Sequence, residues 1–461
     1  MENSLDPQTA AMVDSTMTNG APAELPVLSD QAQNLSIMAE PLTDASMLPV
    51  LPQTQSISAD EIALYDRQIR LWGVKAQELI RNANILLIGM KALGNEIAKN
   101  LVLAGIGSLT ILDHENVIEE DLGSQFLITE DDVGKNRAEA AAVELRKMNP
   151  RVNILVDRES IMTKMQSIMT TMPEYFGAFQ IVISTGQPFE MASNINMSCR
   201  MCNVKFYAAD VHGMYGYVFS DLIVHQFLVD RDIQGNIPTK AGITETSTRM
   251  VIGVEAKKEN NKMKESVTKQ ETYCPMLLAN SSPLPQEATK SRRTKLRVPP
   301  LVSCLRGLFE FQKRTGGRSP GASHEDLVVF TQFTNEKHME LQLPPETLTS
   351  TVFRSFLQNV GTEIPPTAAY LGGQVAQDVI NVLGQREQPL QNFLLFDGEE
   401  FKSPIYSMQP MFDPTLAMPM DDVTSNGVLQ QATSNGNGFM TNGVGPDTAT
   451  NNVHTQPQLQ A

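Results

Sequence analysis

The stretch Asn84-Ile-Leu-Leu-Ile-Gly-Met-Lys-Ala-Leu-Gly-Asn-Glu-Ile-Ala-Lys-Asn-Leu-Val-Leu-Ala-Gly-Ile-Gly-Ser-Leu-Thr-Ile-Leu-Asp113 decides how the rest of the chain is read. It opens on a short apolar run that stops at Gly89, the pattern of a strand buried on both faces. Between Gly94 and Ala104, the residues Ile97, Leu101 and Ala104 share one helical face, and a second apolar run ends on Asp113. Strand, glycine turn, helix and a strand closing on Asp within about 30 residues make a βαβ unit of the nucleotide-binding kind.

The alternation continues outward from there. A helix is expected over 136–148, strands over 152–156 and 180–184, a helix over 189–202 and a strand over 205–209. The fold class is therefore α/β, a doubly wound and mostly parallel Rossmann-like sheet. On the N-terminal side, Ser58-Ala-Asp-Glu61 has the spacing of a capping box and opens a helix expected to reach Arg81, with a break at Gly73. From Tyr215 the pattern changes to strand-type runs (YGYVF, HQFLV) and then to KKENNKMKESVTKQE, which has no apolar face. Residues 215–295 read as an insertion with a small β-rich part and a flexible loop. Helical patterns resume over 302–313, 344–360 and 367–383, where Gly372-Gly373 lets two backbones approach closely, and a strand over 392–397 rejoins the first sheet.

The 461 residues carry a formal net charge of −16, and its distribution matters more than its size. Residues 1–55 hold seven acidic and no basic residues and residues 409–461 hold four and none, which leaves −5 for the 353 between them. Both tails lack hydrophobic periodicity and read as disordered. A broad electrostatic grip on nucleic acid or anionic lipid is excluded by this balance. No apolar run is long enough to span a bilayer and no signal peptide is recognisable, so a soluble, intracellular chain with no membrane partner is expected. Four cysteines suit a reducing compartment.

The candidate chemistry is sparse. Gly89 and Gly94 stand at the first and last positions of a G-x-G-x-x-G turn, but Lys91 replaces the glycine that lets backbone approach a phosphate. Asp113 sits where a ribose-binding carboxylate would, and an Asp there also caps the following turn. A working nucleotide pocket and a structural remnant both remain open on these residues, with Lys91 weighing toward the remnant. Cys199-Arg-Met-Cys202 has the spacing of half a zinc site without the other half, so buried thiols and no metal are expected. Cys274 and Cys304 have no neighbour that marks a lowered thiol pKa. The basic run Lys290-Ser-Arg-Arg-Thr-Lys-Leu-Arg297 reads as a solvated loop face, with nuclear import as a second reading. In Tyr65-Asp-Arg-Gln-Ile-Arg-Leu-Trp-Gly73, Ile69 and Trp72 can pack inward while Arg67 and Arg70 present guanidinium groups outward. These two arginines make either a surface salt-bridge pair or a grip on a phosphate chain held by a partner subunit.

At this string the chain resembles the activating enzymes of ubiquitin-like modifiers, whose adenylation domains open with YDRQIRLWG. VLAGIGSLTILDHENV, QFL at Gln125 to Leu127, VGKNRAEAA at Val133 to Ala141 and GGQVAQDVIN…NFLLFDG extend the likeness over roughly 60–408, apart from the insertion. Within that family LLIGMKALGNEIAKNLVLAGI and LDHE are most similar to the smaller, non-thioester subunits of heterodimeric SUMO-activating enzymes. The resemblance implies a ThiF/MoeB-type adenylation domain in two parts, 56–214 and 296–408, with 215–295 inserted and 1–55 and 409–461 as tails. In the family's active half the turn is glycine-rich at the places of Lys91 and Ala92, a carboxylate and an Asn-Arg pair precede QFL, and an Asp follows the fourth strand. Here Glu115, Asp121, Ser124 and Thr-Gly-Gln-Pro stand there.

The resemblance therefore implies an inactive half. ATP and magnesium would be bound by the larger catalytic subunit and none by this chain. The C-terminal carboxylate of SUMO would be adenylated there and passed to a cysteine of that subunit. Arg67 would reach the partner's ATP phosphates in trans, with Arg70 as a lesser candidate. Nuclear localisation, with the cytoplasm also open, follows from the resemblance alone. The rivals are the equivalent subunit for another ubiquitin-like modifier, an NAD-dependent oxidoreductase built on Asp113, and a self-sufficient bacterial-type adenylating homodimer.

Overall fold

The computed structural model of the chain describes residues 57–410 except 234–238 and 260–261. The two tails expected to be disordered lie almost wholly outside the described residues. Five parallel strands form the core of the main sheet: β1 (Asn84–Ile88), β2 (Ser108–Leu112), β3 (Asn153–Asp157), β4 (Ile181–Thr185) and β5 (Lys205–His212). β6 (Tyr215–Asp221) turns back antiparallel on β5. A separate three-stranded sheet follows, made of β7 (Val224–Asp232), β8 (Arg249–Glu259) and β9 (Lys262–Thr272), before β10 (Phe393–Asp397) and β11 (Ile405–Tyr406) complete the main sheet in the order β11-β10-β6-β5-β4-β1-β2-β3. The order reverses at β1 and β4, and in open α/β sheets ligands bind outside the carboxyl ends of the strands at such a switch point.

The helices follow the chain as α1 (Ala59–Leu64), α2 (Asp66–Trp72), α3 (Val74–Arg81), α4 (Ala92–Ala104), α5 (Arg137–Met148), α6 (Ile161–Thr170) and α7 (Phe189–Met201). After the small sheet come α8 (Met276–Ser281), α9 (Gln286–Thr289), α10 (Arg292–Lys295), α11 (Leu301–Arg314), α12 (His324–Glu340), α13 (Ser350–Asn359) and α14 (Pro365–Gly384). Successive side chains of a strand point to opposite faces, so β1 feeds two cores. Ile85 and Leu87 join α3, α4, α5 and α14 on one face, while Leu86 and Ile88 join α6, α7, α8, α11, α12 and α13 on the other. Gly372 lets α14 lie against α4, because a Cβ there would fall 2.5 Å from that of Glu96.

Three expectations are corrected. The run YGYVF belongs to the main sheet as β6, so the insertion begins after it rather than at residue 215. The polar stretch from Lys257 is no flexible loop, because its described residues continue β8 and form β9. The 344–360 helix divides into a 3-10 turn over Pro345–Thr347 and α13. The sequence reading also passed over α6, α12 and β11.

Candidate functional site

The glycine turn forms at the switch point because two of its residues cannot carry a Cβ. Gly89 has φ +88°, and a Cβ there would stand 2.6 Å from the carbonyl oxygen of Thr185. A Cβ on Gly94 would stand 2.3 Å from the carbonyl oxygen of Gly89. Asn95, fully buried, closes the turn from inside by donating to the carbonyls of Met90 and Lys91 at 2.8 and 3.0 Å and accepting from the N–H of Leu127.

In a phosphate-binding turn the N–H groups are left for the ligand; here the chain's own carboxylates take two of them. Met90 donates to Asp113 Oδ2 at 2.8 Å and Ala92 to Glu363 Oε2 at 3.1 Å. Asp113 Oδ1 accepts from the N–H of Glu115 at 2.9 Å. Arg137, buried at the start of α5, holds Asp113 and Glu115 at 3.1 and 2.9 Å through Nη1 and Asp121 at 3.2 Å through Nη2. Burial works against the Arg137 charge, but the three carboxylates outweigh it and raise the guanidinium pKa further. Burial likewise opposes ionisation of Glu115, and its bond to Arg137, with the charges of Lys91, Arg137 and His114, nevertheless holds it below the usual range. Burial pushes Glu363 and the half-buried Asp210 up.

What remains over the turn is a cavity of about 210 Å³, smaller than the roughly 300 Å³ at which ligand pockets begin. Its wall sets the carboxylates of Asp113, Glu115, Asp210 and Glu363 against the cations of Lys91 and Arg137, and Arg137 is spent on Asp113 and Glu115, so it is no positive cradle for a polyanion. The residues present do not fit a nucleotide's phosphate chain, and three acceptor positions of Asp113 are already taken by Met90, Glu115 and Arg137. A larger groove, about 1980 Å³, runs along the edge strand β3 and contains none of the turn.

The arginine string lies on α2, a helix with no buried residue. Arg67 is exposed and makes no ion pair or side-chain hydrogen bond among the described residues. Arg70 does not share that freedom: its Nη2 lies 2.9 Å from Asp66 Oδ2, one turn back. Tyr65 is buried before the helix, where its hydroxyl accepts from Asn149 Nδ2 at 2.9 Å and its ring fills the place of the missing Cβ of Gly105. Gly105→Ala combines a left-handed backbone, φ +80°, with a collision 2.5 Å from the Tyr65 ring. It is expected to cost about 2–4 kcal/mol in a denaturant titration.

A sequence profile described as the ThiF family matches residues 65–414. The chain belongs to the ThiF family. It is 36% identical over 361 residues to the DNA damage tolerance protein RHC31 of Saccharomyces cerevisiae, covering 77% of this chain and 99% of that one. It is 36% identical over 345 residues to SUMO-activating enzyme subunit 1 of Rattus norvegicus (74% and 93% covered) and 35% over 346 residues to that of Homo sapiens (74% and 93%).

The other candidates of this ThiF-family chain fall outside the turn. Cys199 lies in the core and Cys202 is half-buried at the end of α7. Burial raises the thiol of Cys199 well above its ordinary value, pushes Cys274 up to about 12 and raises Cys304 too, so none of these three is a poised thiolate. The 290–297 cluster is not a loop: it ends α9 and forms α10, capped by Ser291, with Arg292 paired to Glu346. No described helix is long and apolar enough to cross a membrane. Arg137, Glu363 and Asn149 join the site without a mark in the motifs above. Arg137 could have been flagged by its place inside VGKNRAEAA, whereas Glu363, 271 residues from the N–H it occupies, left no local signal.

Proposed function

We propose that this chain is the smaller, non-thioester subunit of a heterodimeric SUMO-activating enzyme. It supports ATP-dependent adenylation of the SUMO C-terminus and its transfer to a cysteine of the larger subunit. ATP and magnesium are held by that partner, and the guanidinium of Arg67 meets the phosphates there, where charge grows in the transition state. The reading is supported by relatives named SUMO-activating enzyme subunit 1 that this chain covers almost end to end. The observation that carries the division of labour is the contrast between a turn whose donors are filled by Asp113 and Glu363 and an arginine left exposed and without a partner among the described residues. Nuclear localisation belongs to the same reading.

The test is ATP–pyrophosphate exchange by the purified chain alone and by the chain assembled with the larger subunit, each with and without SUMO. Exchange is expected only from the assembly and only with SUMO. Turnover by the isolated chain would favour a self-sufficient homodimer, and exchange driven by a different modifier would reassign the substrate.

A further inference from the structure

We infer that Tyr65 is a positioning residue that sets Arg67 through a latch on the C-terminal end of α4; the inference rests on the reading of Arg67 given above. No residue of α2 is fully buried, and Trp72 at its end packs against the core, so its direction is set chiefly at its ends. At the first, the Tyr65 ring occupies the notch of Gly105, and Asn149 Nδ2 ties the Tyr65 hydroxyl to the carbonyl of Val102, with donor distances of 2.9 and 2.8 Å. At the second, Trp72 Nε1 donates to Gln77 Oε1 at 2.9 Å, and Gln77 Nε2 donates to the carbonyl of Ala104 at 3.0 Å.

Both ends of a two-turn helix thus land on Val102, Ala104 and Gly105, the last turn and cap of α4. At about 100° per residue, a step of two residues crosses to the far side of a helix. Tyr65 turned inward therefore turns Arg67 outward. The conformation of the cap residue becomes the aim of the arginine, and a misplacement of about 1 Å in a catalytic group costs up to about a hundredfold. The tyrosine and the tryptophan of YDRQIRLWG have one task, which is to hold steady a helix that meets the core only at its two ends.

Trp72 is the only tryptophan of the chain, so its emission in the full-length protein reads the placement of α2. The test combines that emission with pyrophosphate exchange by the assembled enzyme, for Tyr65→Ala, Tyr65→Phe, Arg67→Ala and the Tyr65→Ala/Arg67→Ala double variant. Tyr65→Ala is expected to shift Trp72 emission to the red and to lower kcat by about tenfold or more, with KM for SUMO unchanged. Tyr65→Phe, which keeps the ring in the notch, retains most of the rate. Added to Arg67→Ala, Tyr65→Ala costs nothing further, because residues acting as one unit are not additive. Losses that multiply would overturn the latch and leave the role of Arg67 standing. Unchanged exchange in Arg67→Ala alone would overturn that role, and this inference with it. Should Tyr65→Ala fail to fold, Gln77→Ala unhooks the other end and carries the same cycle with the same outcomes.

Discussion

Arg67→Ala is expected to lower pyrophosphate exchange by the assembled enzyme by about tenfold or more, the loss of one donor aimed at developing charge costing up to about a thousandfold. The subunits should still assemble, because an exposed arginine with no partner among the described residues supports no packing in this subunit. Arg70→Ala is the internal comparison. Its guanidinium is exposed and already paired with Asp66, and such surface pairs are worth roughly 0.2–1 kcal/mol, so its loss should stay within about fivefold. Arg67→Lys should recover part of the rate, since it restores charge without the planar fork. Equal losses from the Arg67 and Arg70 variants would mean that the string acts as a basic patch rather than through one placed side chain.

The largest effect on stability is expected at Arg137. Its guanidinium neutralises Asp113 and Asp121, both more than nine-tenths buried, together with the half-exposed Glu115. Arg137→Met keeps the apolar stem and strands the carboxylates, a change that costs about 3–5 kcal/mol in comparable buried pairs. The pH dependence has a defined sign. A carboxylate held below its ordinary value, as Glu115 is, contributes stability above about pH 4.3 and loses it as pH falls through the folded value. The variant lacks that contribution at every pH. The gap between the two proteins in urea unfolding should therefore narrow on acidification below about pH 4.3, by a small share because Glu115 is half-exposed. A gap that widens with acid would mean that Arg137 does not act through these carboxylates.

The same cluster shows where sequence reading succeeds and where it stops. The βαβ unit was legible because apolar runs and glycines are local signals: Asn84 to Asp113 became β1, the turn, α4 and β2 almost residue for residue, and the Ser58–Glu61 capping box formed. Sheet membership is not local. Whether YGYVF starts an insertion or closes the main sheet depends on pairing with β5 and with β10, and β10 lies some 170 residues on.

The polar hairpin was hidden for another reason. Along β9 the inward positions include Val267 but also Glu265 and Glu271, which are buried against Arg231 and Arg249. Buried ion pairs in a strand erase the alternation of apolar and polar residues on which its recognition depends. At the site, Lys91 signalled that the turn was altered. The two carboxylates filling it could not be foreseen, because Glu363 arrives from the start of the α14 segment and Asp113 suits both a ribose and the capping of a turn.

In the proposed division of labour this chain brings an arginine and no nucleotide site of its own. Equilibrium binding of a non-hydrolysable ATP analogue with magnesium, measured by calorimetry on the isolated chain and on the assembled enzyme, tests it most directly. No binding to the isolated chain and one analogue per heterodimer are expected. Two analogues per heterodimer, or saturable binding by this chain alone, would contradict it.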